Sequence, residues 1–253
     1  MTDNSEPRIR RRTVLLGSGA TAAALAVGAV GSRQPTAAED ETDRTAPVAA
    51  AAVCTLTKEL TEGPYYLDGA LVRADLTEGK PGIALKLALT VVDNSTCAPL
   101  NRALVELWHS DALGEYSGFV GANGHQEPDN GTFLRGGVLT GTDGVATITT
   151  IYPGWYRGRC VHIHVKVHTN VTLTSDGSFR GGRELHTGQL FVDEAITTAV
   201  ARVSPYSTNT VARTTLAQDG IYGNGGTAAG LMTVTGSPSA GYTGSLALGI
   251  AQG

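Results

Sequence analysis

The sequence predicts an all-β fold, a β-sandwich with one or two short helices and long loops around its site. Three observations predict it: apolar residues recurring with period two, 33 glycines in 253 residues, and turn-forming residues between the apolar runs. With 41% hydrophobic and 17% charged residues the chain has the composition of a globular protein, neither disordered nor fibrous. A net charge of −4 argues against a nucleic-acid partner, which would require a basic face. Three cysteines are too few for a small disulfide scaffold or a four-cysteine zinc site.

Taken in chain order, Arg8, Arg10, Arg11 and Arg12 precede an uncharged run over 14–31, and Thr36, Ala37 and Ala38 then offer small residues of the kind a signal peptidase cuts after. Residues 1–38 are therefore expected to be a signal peptide, and Arg11-Arg12 followed by Thr13-Val14-Leu15 resembles the twin-arginine type, making the protein a secreted one. The run is rich in Gly and Ala and inserts weakly, so no stable membrane anchor is expected once the signal is removed. Residues 39–53, acidic and then Ala-rich, read as a linker, and 54–253 as one domain. An oxidising destination permits a disulfide, and Cys54 and Cys97 flank the first expected strand; the alternative is two independent buried thiols. That strand, 83–93, places Leu85, Leu87, Leu89 and Val91 on one face. Similar strands are expected at 103–109, 145–151, 161–168, 188–192, 231–235 and 243–250. Only 194–203, behind Asp193 and ended by Pro205, reads as a helix. Residues 206–229, rich in Thr, Asn and Gly, read as a long surface connection.

Residues 161–168 (V-H-I-H-V-K-V-H) alternate, so His162, His164, Lys166 and His168 share one face of a strand. Imidazoles two residues apart stand about 7 Å from each other and can converge on one metal ion, the alternative being a solvated polar face. Immediately upstream, P-G-W-Y-R-G-R delivers Tyr156 with Arg157 and Arg159, and the earlier loop W-H-S-D-A-L-G-E-Y-S-G over 108–118 carries Tyr116. Two His and two Tyr suit a hard trivalent ion, because phenolate oxygen matches Fe(III) whereas zinc usually takes His, Cys or carboxylate. Ionising a phenol at pH 7 costs roughly 4 kcal/mol, which a neighbouring trivalent charge supplies. Tyr152 is the rival of Tyr156, Asp111 is placed to hold the Tyr116 loop in an Asx-type turn, Cys160 reads as a small core thiol, and His168 reads as a surface residue. His109, His125 and His186 have no assigned role.

On these residues the chain resembles the intradiol ring-cleaving dioxygenases, the non-haem Fe(III) family of catechol 1,2- and protocatechuate 3,4-dioxygenases, and most nearly their secreted, single-domain actinobacterial-type relatives. The resemblance runs over about 57–249. It is carried by T-E-G-P-Y-Y at 61–66, the 108–118 loop, R-G-G at 135–137, the block 148–167 and H-T-G-Q-L-F at 186–191. It implies one non-haem Fe(III) per chain, held by Tyr116, Tyr156, His162 and His164. It also implies that Arg159 steadies negative charge on the substrate ring, that Gln189 stands near the oxygen-binding side, and that Tyr156 accepts a substrate proton. Gly63, Pro64, Tyr65 and Tyr66 would wall the pocket, with plain packing as an equal alternative for the two tyrosines. The implied partners are a catecholic substrate and O2, and the implied product is of the cis,cis-muconate type. Val138 stands where many relatives carry a polar residue, in a stretch expected to shape the outer pocket. No basic cluster dedicated to a ring carboxylate stands out, so plain, alkylated or hydroxylated catechols are the expected substrates. The competing readings are a zinc-dependent hydrolase built on His162, His164 and a carboxylate, and a non-catalytic secreted binding module.

Overall fold

Alternation of large apolar with small or charged residues builds β1 (Ala84–Asp93), whose Leu85, Leu87, Leu89 and Val91 are fully buried while Lys86 between them is exposed. β1 is a central strand, parallel to β12 (Gly241–Ile250) on one side and antiparallel to β6 (Val145–Ile151) on the other; β11 (Thr233–Ser237) completes this sheet in the order β11-β12-β1-β6. The second sheet, β10-β7-β2-β5, is antiparallel throughout and consists of β10 (Arg183–Phe191), β7 (His162–Thr169), β2 (Leu104–Trp108) and β5 (Arg135–Leu139). Leucines of β1 and Ile148 of β6 form one core with Val105, Leu107, Ile163, Val165 and Val167 of the second sheet. Burying each of these side chains contributes roughly 1.5–3 kcal/mol. The architecture is thus the expected all-β sandwich. Two-stranded ribbons, β3 (Tyr116–Val120) with β4 (Gly124–His125) and β8 (Thr172–Leu173) with β9 (Phe179–Arg180), lie in the connections.

The computed structural model describes residues 55–226 and 230–252, all within the unit Ala46–Gly253. The expected signal peptide and linker, and Cys54, lie outside the described residues. Cys97 is disulfide-bonded and Cys160 is a buried free thiol. Among the described residues no helix is long and apolar enough to cross a membrane.

All seven expected strands are present, and so is the helix, which spans Glu194–Val200 with the Asp193 carboxylate accepting from the Ala195 N–H at 2.8 Å. Two expectations need correction. The 206–229 stretch is more than a surface connection: it contains 3-10 turns at Tyr206–Thr208 and Leu216–Gln218 and a short helix Gly220–Gly223. Its Tyr206 and Asp219 are buried, and the Tyr206 hydroxyl donates to the Tyr152 carbonyl at 2.6 Å. Val138 pairs with Val105 in the second sheet and packs, partly buried, on the core. His168 is not a surface residue: only 7% exposed, it pairs through Nε2 with the buried Glu106 carboxylate at 2.8 Å.

Candidate metal centre

β7 aims Ile163, Val165 and Val167 into the core and His162, His164, Lys166 and His168 to the opposite face, yet that face is buried as well. Its cover begins with the strands beside it. Residues directly opposite each other in an antiparallel pair share a face. The register sets Trp108 and Gln189 on either side of His164, with Glu106 and Thr187 on either side of Lys166. Trp108 stacks on the His164 imidazole with centroids 4.8 Å apart and planes at 7°. Gly63 closes over the same ring: it has φ of +75°, and a Cβ there would lie 3.1 Å from His164 Cε1.

Two loops bring the tyrosines in. Asp111 accepts the N–H groups of Leu113 and Glu115 at 2.9 and 3.1 Å, the expected Asx-type turn, and fixes the bend that leads into Tyr116. The Asp111 carboxylate also takes the Lys80 ammonium at 2.8 Å, and His125 sits between it and Glu115, so a charged network braces this bend. Gly114, with φ of +89°, lies against the backbone of Trp155; a Cβ would meet the Trp155 carbonyl at 2.2 Å. That contact lays the 111–114 bend on the 153–156 loop and sets Tyr116 beside Tyr156, ring centroids 5.8 Å apart.

His162, His164, Tyr116 and Tyr156 therefore converge from three separate stretches of chain. The two imidazoles face each other Nε2 to Nε2 at 3.2 Å, and the Tyr156 hydroxyl is 3.3 Å from His162 Nε2. The Tyr116 ring lies 6.3 Å from that of His164, and its buried hydroxyl has no hydrogen-bond partner of good geometry, though it is close enough to the Tyr156 oxygen to couple their protonation. His162 Nδ1–H points at the Cys160 carbonyl, 2.7 Å away, which leaves the lone pair on Nε2. Burial, then the Arg159 guanidinium, holds His162 down to about 3; burial, then His162 and Arg159, holds His164 well below the usual imidazole range. Burial raises both phenols, with Arg159 pulling the other way at each. Two neutral imidazole lone pairs and two phenols that only a strong cation could ionise form an N2O2 donor set suited to a hard, highly charged metal ion.

At one rim of the cluster Arg159 Nη1 lies 3.4 Å from His162 Nε2, Nη2 donates to the Gln189 side-chain oxygen, and Gln189 in turn donates to the Thr61 carbonyl at 2.8 Å. Tyr65 stacks on Tyr116 at 4.3 Å and 12°. Tyr66 turns away: its ring packs on Trp108 and beneath the Lys166 ammonium, and its hydroxyl donates to Asp68 and Glu106. Tyr152 bonds Thr197 within the core beside Tyr206 and Tyr242, remote from the cluster.

Two supporting residues had gone unassigned. Asp219 Oδ2 accepts from Arg159 Nε at 2.9 Å and from the Cys160 N–H at 2.7 Å, while its Oδ1 caps Ile221 and Tyr222. Its place just ahead of a Gly-Ile-Tyr turn is an N-cap signal. Arg135, singled out only as part of a motif, clamps Ser117 through Nε and Nη2 and the Tyr65 carbonyl through Nη1 at 2.7 Å. Among the described residues, a three-donor group of His, Cys, Asp or Glu occurs at Asp111, Glu115 and His125 and not at His162 and His164, so the zinc-hydrolase reading lacks its carboxylate.

A family model described as Dioxygenase matches residues 61–177. Chlorocatechol 1,2-dioxygenase of Cupriavidus pinatubonensis is 30% identical over 147 residues, 48% of this chain and 54% of that protein, so the chain spans about half the length of this curated relative. The solved intradiol ring-cleavage dioxygenase from Tetranychus urticae is 33% identical with a TM-score of 0.67, covering 78% of this chain and 95% of that one. Hydroxyquinol 1,2-dioxygenase from Pseudomonas putida shares the fold at 17% identity and a TM-score of 0.53, over 78% of this chain and 67% of that one. The chain belongs to the intradiol ring-cleavage dioxygenase family.

Proposed function

We propose that this protein is an Fe(III)-dependent intradiol dioxygenase that opens catechol-type rings with O2 between the two hydroxylated carbons, giving cis,cis-muconate-type products. The observation that carries this reading is the convergence of Tyr116, Tyr156, His162 and His164 in one buried cluster with Arg159 at its rim. These four side chains would hold the metal. Bound Fe(III) would supply the positive charge that ionises the phenols and draws the catechol oxygens into its coordination. Tyr156 Oη, 3.3 Å from His162 Nε2 and within the field of the Arg159 guanidinium, is the proton acceptor in this account. Arg159 carries a fixed positive charge where the ring becomes anionic, and an aligned charge in a dry site is a large source of rate enhancement. Gln189 and Asp219 hold the guanidinium there by opposite edges. Gly63, Trp108 and Tyr65 exclude water from the imidazole and phenol faces. The N-terminal arginine pair and the uncharged run behind it support a location outside the cell in this reading.

Iron loading followed by absorption spectroscopy tests the assignment. Phenolate-to-Fe(III) charge transfer is expected to colour the protein red-brown, Tyr116→Phe and His162→Ala are expected to lose iron or activity with the β fold retained, and catechol is expected to consume O2. A colourless iron-loaded protein, or full turnover in both variants, would refute it.

A further inference from the structure

Two places beyond His164, on the same face of β7, stands Lys166, whose side chain is only 7% exposed. An ammonium taken that far out of water needs fixed anions around it. Lys166 Nζ has two, Glu184 Oε2 at 2.5 Å and Glu62 Oε2 at 2.6 Å, and it lies 4.4 Å from the centre of the Tyr66 ring. The two carboxylates belong to different parts of the fold. Glu184 stands on β10, opposite His168 in the ladder, and its Oε1 accepts the Thr187 hydroxyl, so it is part of the frame. Glu62 stands on the stretch 61–66, which lies outside both sheets. Side chains hold that stretch over the cluster. Gln189 donates to the Thr61 carbonyl at 2.8 Å while accepting from Arg159, and Arg135 donates to the Tyr65 carbonyl at 2.7 Å. Gly63 lies against the His164 ring, with no room for a Cβ closer than 3.1 Å.

Glu62 therefore sits between the residue that meets Gln189 and the residue that meets His164. Planar peptides keep neighbouring Cα atoms about 3.8 Å apart, so a shift at position 62 is passed to both neighbours. We propose that Lys166 is a positioning residue: it pins the 61–63 stretch to the β10 frame, and so seats Gly63 on His164 and the Thr61 carbonyl on Gln189. This rests on the ring-cleavage reading above and adds to it a residue that acts through its neighbours, without touching metal or substrate. A neutral side chain of the same length would fill the space and leave the stretch without its ionic hold. The Glu62 side chain is 41% exposed, so the hold is open to screening by salt.

Glu62→Ala, at a partly exposed position outside the sheets, tests the pin with little risk to the fold, and Lys166→Met tests it from the other end. In iron-loaded protein each is expected to raise the KM for catechol about fivefold and to speed iron release to a chelator at least about threefold. A lower folded fraction would reduce kcat and leave KM alone, so the rise in KM separates positioning from support of the fold. Lys166→Arg, which keeps the charge, is expected to recover at least half of the loss. The double variant should be no worse than Lys166→Met alone, because both substitutions break one contact. Rising salt should bring the wild-type KM towards that of Glu62→Ala, whose own KM stays flat. Wild-type KM and iron release in Glu62→Ala, or fully additive effects in the double variant, overturn the pin while the ring-cleavage reading stands. A wild-type protein that takes up no iron and cleaves no catechol defeats the ring-cleavage reading, and the positioning role with it.

Discussion

Gly63 shows how narrow the tolerances are around His164. Its φ of +75° is a conformation that residues with a Cβ adopt at a cost of about 1 kcal/mol or more, and the added carbon would sit 3.1 Å from His164 Cε1. Gly63→Ala is expected to destabilise the protein by about 1–2 kcal/mol and to weaken iron retention, measured by denaturant titration and by metal content after dialysis; wild-type values for both would show that the segment yields without disturbing the imidazole. His109 carries a different liability. It is fully buried, with Nδ1 2.7 Å from the Ser110 carbonyl and Nε2 2.7 Å from the Thr150 hydroxyl, and burial pushes it down from 6.5 to about 4. The unfolded chain therefore binds a proton at a higher pH than the folded one does. Stability is expected to fall as pH drops from about 6.5 towards 4, by up to about 3 kcal/mol from this residue. His162 acts in the same direction in iron-free protein, down to about 3. Urea unfolding of iron-free protein between pH 7 and 4 measures the slope, and His109→Gln should flatten it; an equally steep slope in that variant would assign the acid lability elsewhere.

Single elements differ in how clearly the sequence announces them. β7 is legible because Val, Ile and Val alternate with His and Lys, and alternation alone separates a core face from a functional one. Alternation does not say what covers the second face. His168 therefore reads as exposed, although Glu106 from β2 and Phe179 from β9 bury it. Strands of two to five residues, such as β3, β4, β8 and β9, are too short to show a period. The Gly220–Gly223 helix is hidden in a Thr-, Asn- and Gly-rich stretch, and only Asp219 signals it. That one carboxylate caps the helix, accepts the Cys160 N–H at the approach to β7 and orients Arg159. Burial pushes the Asp219 carboxyl up, but the N–H groups of Tyr222 and Cys160 and the Arg159 guanidinium outweigh it and bring it to about 2. Asp219→Ala leaves the partly buried Arg159 guanidinium without its counter-ion; breaking a fully buried pair costs about 3–5 kcal/mol, so a loss at or below the lower end of that range is expected. Thermal unfolding should show that loss, together with a fall in kcat that Asp219→Asn restores in part through its remaining oxygen acceptor. A stable Asp219→Ala protein with unchanged kcat would mean that Gln189 alone positions Arg159.

For the whole molecule, the sandwich was legible from its longest strands, whereas the meeting of Tyr116 with Tyr156 was not a matter of periodicity. It depends on Gly114 seating one loop on another some 40 residues away, and family resemblance, not spacing, linked the two tyrosines beforehand. Long-range covalent structure gives the remaining prediction. Cys97 is disulfide-bonded and Cys160 is free, so the expected partner of Cys97 is Cys54, a bond that the proposed export to an oxidising compartment would permit. Closing a loop of about 44 residues removes unfolded-state entropy worth about 4 kcal/mol on the chain-entropy model. Oxidised protein unfolded in denaturant should therefore show one reactive thiol, rising to three after reduction. Reduction should lower stability by an amount approaching that figure, and Cys54→Ser should reproduce the loss without added reductant. Cys160→Ser removes only a buried thiol and should leave the sensitivity to reductant intact. A Cys54→Ser protein as stable as the oxidised wild type would show that Cys97 has a different partner and that the N-terminal end of the domain is held by the sheets alone.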